Sequence, residues 1–142
     1  MIPEVTADPT FGKVELSIPS KAEWVAVARL AVAAVASRLR FSVDEIEDIK
    51  LAVAEACTNC IQHSSATDEL NLTCEVFSDQ LRVTVRDRGA TLRLESVSEN
   101  VFSDDGSDEL GVFLIRALMD TVGYRFDKRE GTELVMTKRV TQ

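Results

Sequence analysis

The chain is predicted to fold as an α+β two-layer α/β sandwich, a mainly antiparallel sheet covered on one face by three helices. Three observations lead there. Short segments alternate apolar and polar residues with period two, which gives strands one apolar face. Polar turns join neighbouring strands as hairpins, which favours antiparallel pairing. Three further segments repeat apolar residues at helical spacing, enough to cover the apolar side of the sheet and leave the other side wet or facing a partner.

Residues 1–12 hold two of the three prolines and no period, and read as a loose lead-in to one domain over residues 13–142. Lys13 to Ile18 alternates, with Val14, Leu16 and Ile18 on one face, and Pro19 ends the strand. Ser20-x-x-Glu23 reads as a capping box. Trp24, Val27, Ala28, Ala31, Val35 and Leu39 then place a helix over about 21–39. Ser42-x-x-Glu45 repeats the signal for a second helix over about 43–63. Leu70, Leu72, Cys74 and Val76, the turn Ser78-Asp79-Gln80, and Leu81, Val83 and Val85 make a hairpin. Residues 88–109 are rich in Ser, Asp and Glu and read as a long acidic loop. Leu110 to Val122 reads as a third helix. Tyr124-Arg125-Phe126 and Leu134 to Thr137 flank a turn at Glu130-Gly131 as a closing hairpin.

With 142 residues, 45% of them hydrophobic, the chain can bury an ordinary core without staples. Its 24 acidic against 16 basic residues give a net charge of -8, which repels phosphate backbones and anionic lipid. No direct nucleic-acid or membrane partner is expected. No apolar run reaches the roughly 18 residues of a membrane span and no secretory signal is evident, so a cytoplasmic location is expected. Cys57 and Cys60 lie one helical turn apart and His63 is the only histidine, so the three cysteines are expected as reduced, packed thiols rather than a zinc or redox centre.

Several residues break the pattern. The second helix is apolar nearly all round, yet Glu55 and Asn59 stand at i and i+4, with Gln62 and His63 a turn further on. Either they form a solvated or ion-paired edge, or they face a cavity holding water and ions. Asp87 shares parity with Leu81, Val83 and Val85 and so points toward the helices. There it either caps the turn at Gly89 or accepts from a directed donor such as the exocyclic amine of adenine. Gly111, at the start of the third helix, allows close approach of backbone to phosphate. Thr132, after the turn glycine Gly131, is a weaker signal of the same kind.

Taken in order, these exceptions resemble the GHKL ATPase layout, the histidine-kinase-like ATPase fold. Glu55-Ala56-Cys57-Thr58-Asn59-Cys60-Ile61-Gln62-His63 resembles the N box of bacterial anti-sigma-factor serine kinases of the RsbW type. The likeness includes Val35-Ala36-Ser37-Arg38 and Asp44 to Val53, and resumes at Leu118-Met119-Asp120 and Met136-Thr137-Lys138, spanning about residues 13–140. It implies ATP and Mg2+ as cofactors, with Asn59 as the metal ligand between the phosphates and Glu55 as the catalytic base for a substrate hydroxyl. It also implies adenine recognition by Asp87, with Gly89 allowing the base close, and phosphate-lid and closing-strand roles for Leu110, Gly111, Val112 and Thr132. The family usually has a glycine pair ahead of the lid Leu-Gly. Here Asp108-Glu109 stand there, after Asp104-Asp105, and would repel a triphosphate unless the lid swings away or Mg2+ and Arg88 offset their charge.

The function implied is an anti-sigma factor that sequesters an alternative sigma factor and uses ATP to phosphorylate a Ser or Thr of an anti-anti-sigma protein, acting as a homodimer. A stress-response role in transcription regulation goes with it. The alternative is a regulatory binding module, with or without nucleotide, that lacks kinase activity. A detached ATPase half of a histidine kinase fits less well, because no phosphoacceptor helix pair is present.

Overall fold

The computed structural model describes residues 11–62, 69–87, 113–127 and 131–141. Five strands, β1 (Gly12–Pro19), β2 (Glu69–Val76), β3 (Gln80–Asp87), β4 (Thr121–Asp127) and β5 (Gly131–Arg139), form one sheet in the order β1-β2-β3-β5-β4. Every pairing is antiparallel, so the sheet expected as mainly antiparallel is wholly so. Two helices, α1 (Val25–Ala36) and α2 (Val43–Gln62), and a helical segment over residues 113–118, labelled α3, lie on one face.

Strand parity places the core as the sequence indicates. Ile18 on β1, Leu70, Leu72 and Cys74 on β2, Leu81, Val83 and Val85 on β3, and Leu134 and Met136 on β5 are buried under the helices. Each such side chain contributes roughly 1.5–3 kcal/mol on leaving water. From above, α1 lies over β1 and β2, and α2 lies over β3 and β5. Ala28, Val32 and Ala36 of α1 meet Ile49, Ala52, Val53 and Ala56 of α2, and Ile115 of α3 joins the same core. The opposite face is polar, with cross-strand pairs Arg82–Glu75 at 2.9 Å and Arg86–Glu133 at 2.8 Å. Pairs of this kind contribute roughly 0.2–1 kcal/mol each.

The start of α2 forms as expected. Glu45 N–H donates to Ser42 Oγ at 3.0 Å, and Ser42 N–H donates to Glu45 Oε1 at 2.8 Å, a reciprocal capping box. That backbone hydrogen bond is the main reason the Glu45 carboxyl lies below its ordinary value.

Three expectations are corrected. The box at Ser20 does not form: β1 runs through Pro19, paired with Glu69, and Ser20 Oγ is buried without a hydrogen-bond partner among the described residues. Lys21 instead precedes a 3-10 turn over Ala22–Trp24, and α1 is confined to Val25–Ala36. The apolar stripe of α1 is also wider than its buried face, leaving Trp24 and Val27 40% and 42% exposed. Thirdly, the third helix does not reach Val122. Its helical turns end at residue 118, and Asp120 N–H already donates to Thr137 O in the ladder that becomes β4. The loop expected over 88–109 and the lead-in over 1–10 lie outside the described residues.

Candidate functional site

The site begins with α2. Its buried arc is Ile49, Ala52, Val53, Ala56, Cys57, Asn59 and Cys60, and its outer stripe holds Leu51, Thr58 and Gln62 in the open. The helix is therefore not buried nearly all round, contrary to the sequence expectation. Glu55 sits at the border of the two arcs, half-buried, and so can meet solvent on one side and the helix's inner surroundings on the other.

Asn59, one turn further on, is buried to 5% exposure, and its Nδ2 has no hydrogen-bond partner among the described residues. An unpaired amide in such a place costs roughly 1–3 kcal/mol, so a protein keeps one where a further group engages it. The two ends of a carboxamide are told apart only by the bonds they make. A free end here can present oxygen to a hard cation or NH2 to a phosphate oxygen. The residue present thus fits a magnesium–phosphate group by the donor set it offers.

Asp87 closes β3 with its side chain on the helix-covered face, 1% exposed, as parity requires. Its register partners are Leu70 on β2 and Thr132 on β5. Asp87 and Thr132, far apart in the chain, are thereby neighbours at one end of the sheet. The register therefore joins the last residue of β3 to the second residue of β5 at one end of the sheet, and α2, which carries Glu55 and Asn59, packs on both strands. Gly89, Leu110, Gly111 and Val112 lie outside the described residues, as does His63; α3 follows Val112 directly in sequence.

The three cysteines are buried thiols and none is in a disulfide, as expected. Desolvation pushes the Cys57 thiol up to about 12 and the Cys74 thiol up to about 11, so neither is a nucleophile at neutral pH. Sequence reasoning missed Lys138 as a structural contact of α3. Its ammonium donates to Leu118 O at 2.6 Å, and the only advance signal was its place in the Met136-Thr137-Lys138 stretch.

Comparison with known proteins places this arrangement. Residues 18–138 match the histidine kinase-like ATPase domain family. The serine-protein kinase RsbW of Bacillus thuringiensis subsp. konkukian is 38% identical over 140 residues, covering 92% of this chain and 86% of the relative. The serine-protein kinase RsbW of Bacillus mycoides is 36% identical over the same shares of both chains. Among solved structures, the RsbU and RsbW domains of Rv1364c from Mycobacterium tuberculosis superpose with a TM-score of 0.69 at 15% identity, over 92% of this chain. That likeness shows the fold alone, and this chain spans 33% of that longer protein. By a family match over most of its length and relatives 36–38% identical, the chain belongs to the histidine kinase-like ATPase family, among the serine-protein kinases of the RsbW type.

Proposed function

We propose that the chain is an ATP-dependent protein serine/threonine kinase that also acts as an anti-sigma factor, holding an alternative sigma factor and phosphorylating its anti-anti-sigma antagonist. The observation that carries the nucleotide reading is Asn59: a buried carboxamide whose Nδ2 has no partner among the described residues, one turn from a half-buried carboxylate. In this reading Asn59 holds Mg2+ at the ATP phosphates, Asp87 accepts from the adenine amine beside Thr132, and Leu110, Gly111 and Val112 contribute phosphate contacts with Gly89 near the base. Bound magnesium supplies neutralisation of charge on the transferring phosphoryl group. Glu55 meets the acceptor hydroxyl from its open side and takes its proton, an arrangement suited to general base catalysis because the carboxylate is reachable without unfolding the helix. The intact Glu55 and the kinase relatives favour this reading over a binding module without catalysis.

The partner surface we assign to α1. Trp24, Val27 and Leu30, the last 64% exposed, form an apolar stripe, and a groove of 450 Å³ beside it is lined by Phe11, Val14, Ala34, Val35 and Val76 among others. An apolar stripe of this kind suits a protein partner better than water. A second copy of the chain is the proposed occupant, which makes the protein a homodimer. A cytoplasmic, stress-linked role in transcription regulation belongs to the same proposal; no helix among the described residues is long and apolar enough to cross a membrane.

The deciding experiment incubates the protein with γ-labelled ATP, Mg2+ and candidate antagonist proteins encoded beside it. Label on a Ser or Thr of one antagonist, lost by about 100-fold or more with Glu55→Gln, is the expected result. Transfer within about threefold of wild type by that variant would reassign Glu55 to a structural role. Absence of transfer to any candidate, with ATP bound, would favour the binding module.

A further inference from the structure

We infer that the free edge of β1 is the seam of the homodimer: two copies of β1 pair antiparallel about Val14 and join the two five-stranded sheets into one. β1 stands at one end of the strand order, and among the described residues it pairs only with β2. Its other side therefore offers a row of backbone N–H and C=O groups, a template for a further strand. At eight residues it is longer than the five or six usual for a strand, and its one proline, Pro19, closes it rather than interrupting it. The inward positions Val14, Leu16 and Ile18 carry no charge that would turn a second strand away.

The occupant follows from charge. On the open face of the sheet Arg82 of β3 lies opposite Glu75 of β2, paired with it at 2.9 Å, and Glu75 lies opposite Lys13 of β1. A row that alternates in sign in this way calls for an acid next. β1 carries one itself: Glu15 shares the open face with Lys13, 3.6 Å from its ammonium, and both side chains are exposed. When identical strands pair about a two-fold axis with both helix layers on one side, residues of equal parity stand opposite each other. Pairing centred on Val14 sets Lys13 opposite Glu15 of the second copy and Glu15 opposite its Lys13, so the row reads Arg82, Glu75, Lys13, Glu15 across the seam. Centring on Lys13 or Glu15 opposes like charges, while centring on Leu16 sets Lys13 against Pro19 and centring on Ser17 carries Lys13 past the end of the strand. On the helix-covered face the Val14 pairing brings together two side chains that are each 44% exposed in the single chain. The groove lined by Val14 and Phe11 reaches Ala34 and Val35 of α1, so the seam adjoins the surface assigned to the second copy above.

This inference rests on the homodimer proposed above, and its test separates the two. Dimer dissociation of the full chain is measured by analytical ultracentrifugation at low salt. Lys13→Glu and Glu15→Lys, each opposing like charges at two symmetric positions, are expected to weaken the dimer by about tenfold or more. The double swap Lys13→Glu/Glu15→Lys is expected to restore it to within about threefold. The register is read by cross-linking in a chain carrying Cys74→Ala, because Cys74 is the β2 partner of Val14 and would compete for a thiol there. Val14→Cys in that background is expected to give a disulfide-linked dimer with oxidised glutathione, since opposed Cα atoms lie about 4.5–5.5 Å apart, within disulfide reach. Ser17→Cys, placed about 20 Å from its copy by the same pairing, is expected to stay unlinked. Single swaps without effect, or a double swap no better than either single one, would overturn the charge pairing. Linkage at Ser17 in place of Val14 would overturn the register. A wild-type monomer overturns the homodimer together with this seam, whereas a dimer that Leu30→Glu separates, and that neither links at Val14 nor responds to the swaps, overturns the seam alone.

Discussion

Replacing Asn59 with Ala should leave the ligand-free protein as stable as before or more so, although the residue is buried. Three contributions set the sign. The amide Nδ2, without a partner among the described residues, returns about 1–2 kcal/mol when removed, because there it has no bond to lose. Exchanging Asn for Ala inside α2 adds about 0.5 kcal/mol of helix propensity. Lost packing of the carboxamide takes back about 1 kcal/mol. The net is a gain of about 0.5–1.5 kcal/mol, a rise in melting temperature of roughly 1–6 °C for a chain of this size. Mg-ATP reverses the order. At a concentration about 100 times its Kd, nucleotide should stabilise the wild type by about 2.7 kcal/mol and the variant by little. Thermal unfolding followed by circular dichroism, with and without Mg-ATP, should show the two proteins crossing over. A ligand-free variant less stable by about 1 kcal/mol or more would mean that the amide serves the fold, and equal stabilisation by Mg-ATP would remove Asn59 from the site.

Asp87→Asn should weaken adenine nucleotides by about 1–3 kcal/mol, since the amide can present NH2 where the base also donates; equal binding of ATP and GTP by the wild type would count against this role. Ser42→Ala should cost about 1 kcal/mol by removing one half of the capping box, measured by urea unfolding. The Glu45 carboxyl is depressed below its ordinary value of 4.5, so its contribution is present above that pH and is lost as pH falls through the folded value. The penalty of Glu45→Gln, which removes the charge, should therefore shrink in acid, and a penalty constant from pH 7 to pH 3 would refute the linkage. Gly123 lies on the open sheet face opposite Val135 with nothing within 4 Å of an added Cβ, so Gly123→Thr should raise stability by about 0.5–1 kcal/mol in thermal unfolding. A fall would mean that something occupies that space. Leu30→Glu should convert a dimer to a monomer in light scattering at micromolar concentration, and a wild-type monomer under those conditions would remove self-association from the model of function.

Strand faces were legible because one residue decides the next. Once Leu81, Val83 and Val85 are inward, Asp87 has no other direction, and it is buried as that parity demands. Helix borders were legible only where local chemistry suffices. Ser42 and Glu45 close their box because the chain enters α2 from a short bend, whereas the equally good pattern at Ser20 fails because the strand pairing of Pro19 with Glu69 holds the chain extended up to it. A pattern of four residues carries no information about the partner strand. The end of α3 was hidden for a related reason: Ile115, Leu118, Met119 and Val122 fit helical spacing, while Val122 and Tyr124 fit alternation, and the ladder to β5 chose the second. The contact of Lys138 with Leu118 depends on that same ladder, which no local pattern announces.

The position of Glu55 and Asn59 on α2 follows from the geometry of the helix. Four residues advance the direction of a side chain by about 40° beyond a full turn, so the two share a side of the helix without sharing an environment. The core arc through Ala52, Ala56 and Cys60 sits on the sheet, and the open stripe runs through Leu51, Thr58 and Gln62. A pair near the border of these arcs can place one member inward and leave the other reachable, which is what the exposures of Asn59 and Glu55 show. Had the apolar positions been turned by one residue, both would lie in the core or both in water. A carboxylate wholly in the core would be costly to ionise, and a carboxamide wholly in water would hold phosphate weakly. In the proposed reading, proton removal from an arriving protein hydroxyl and retention of a small ligand have opposite demands on solvent, and the border of one amphipathic helix suits both.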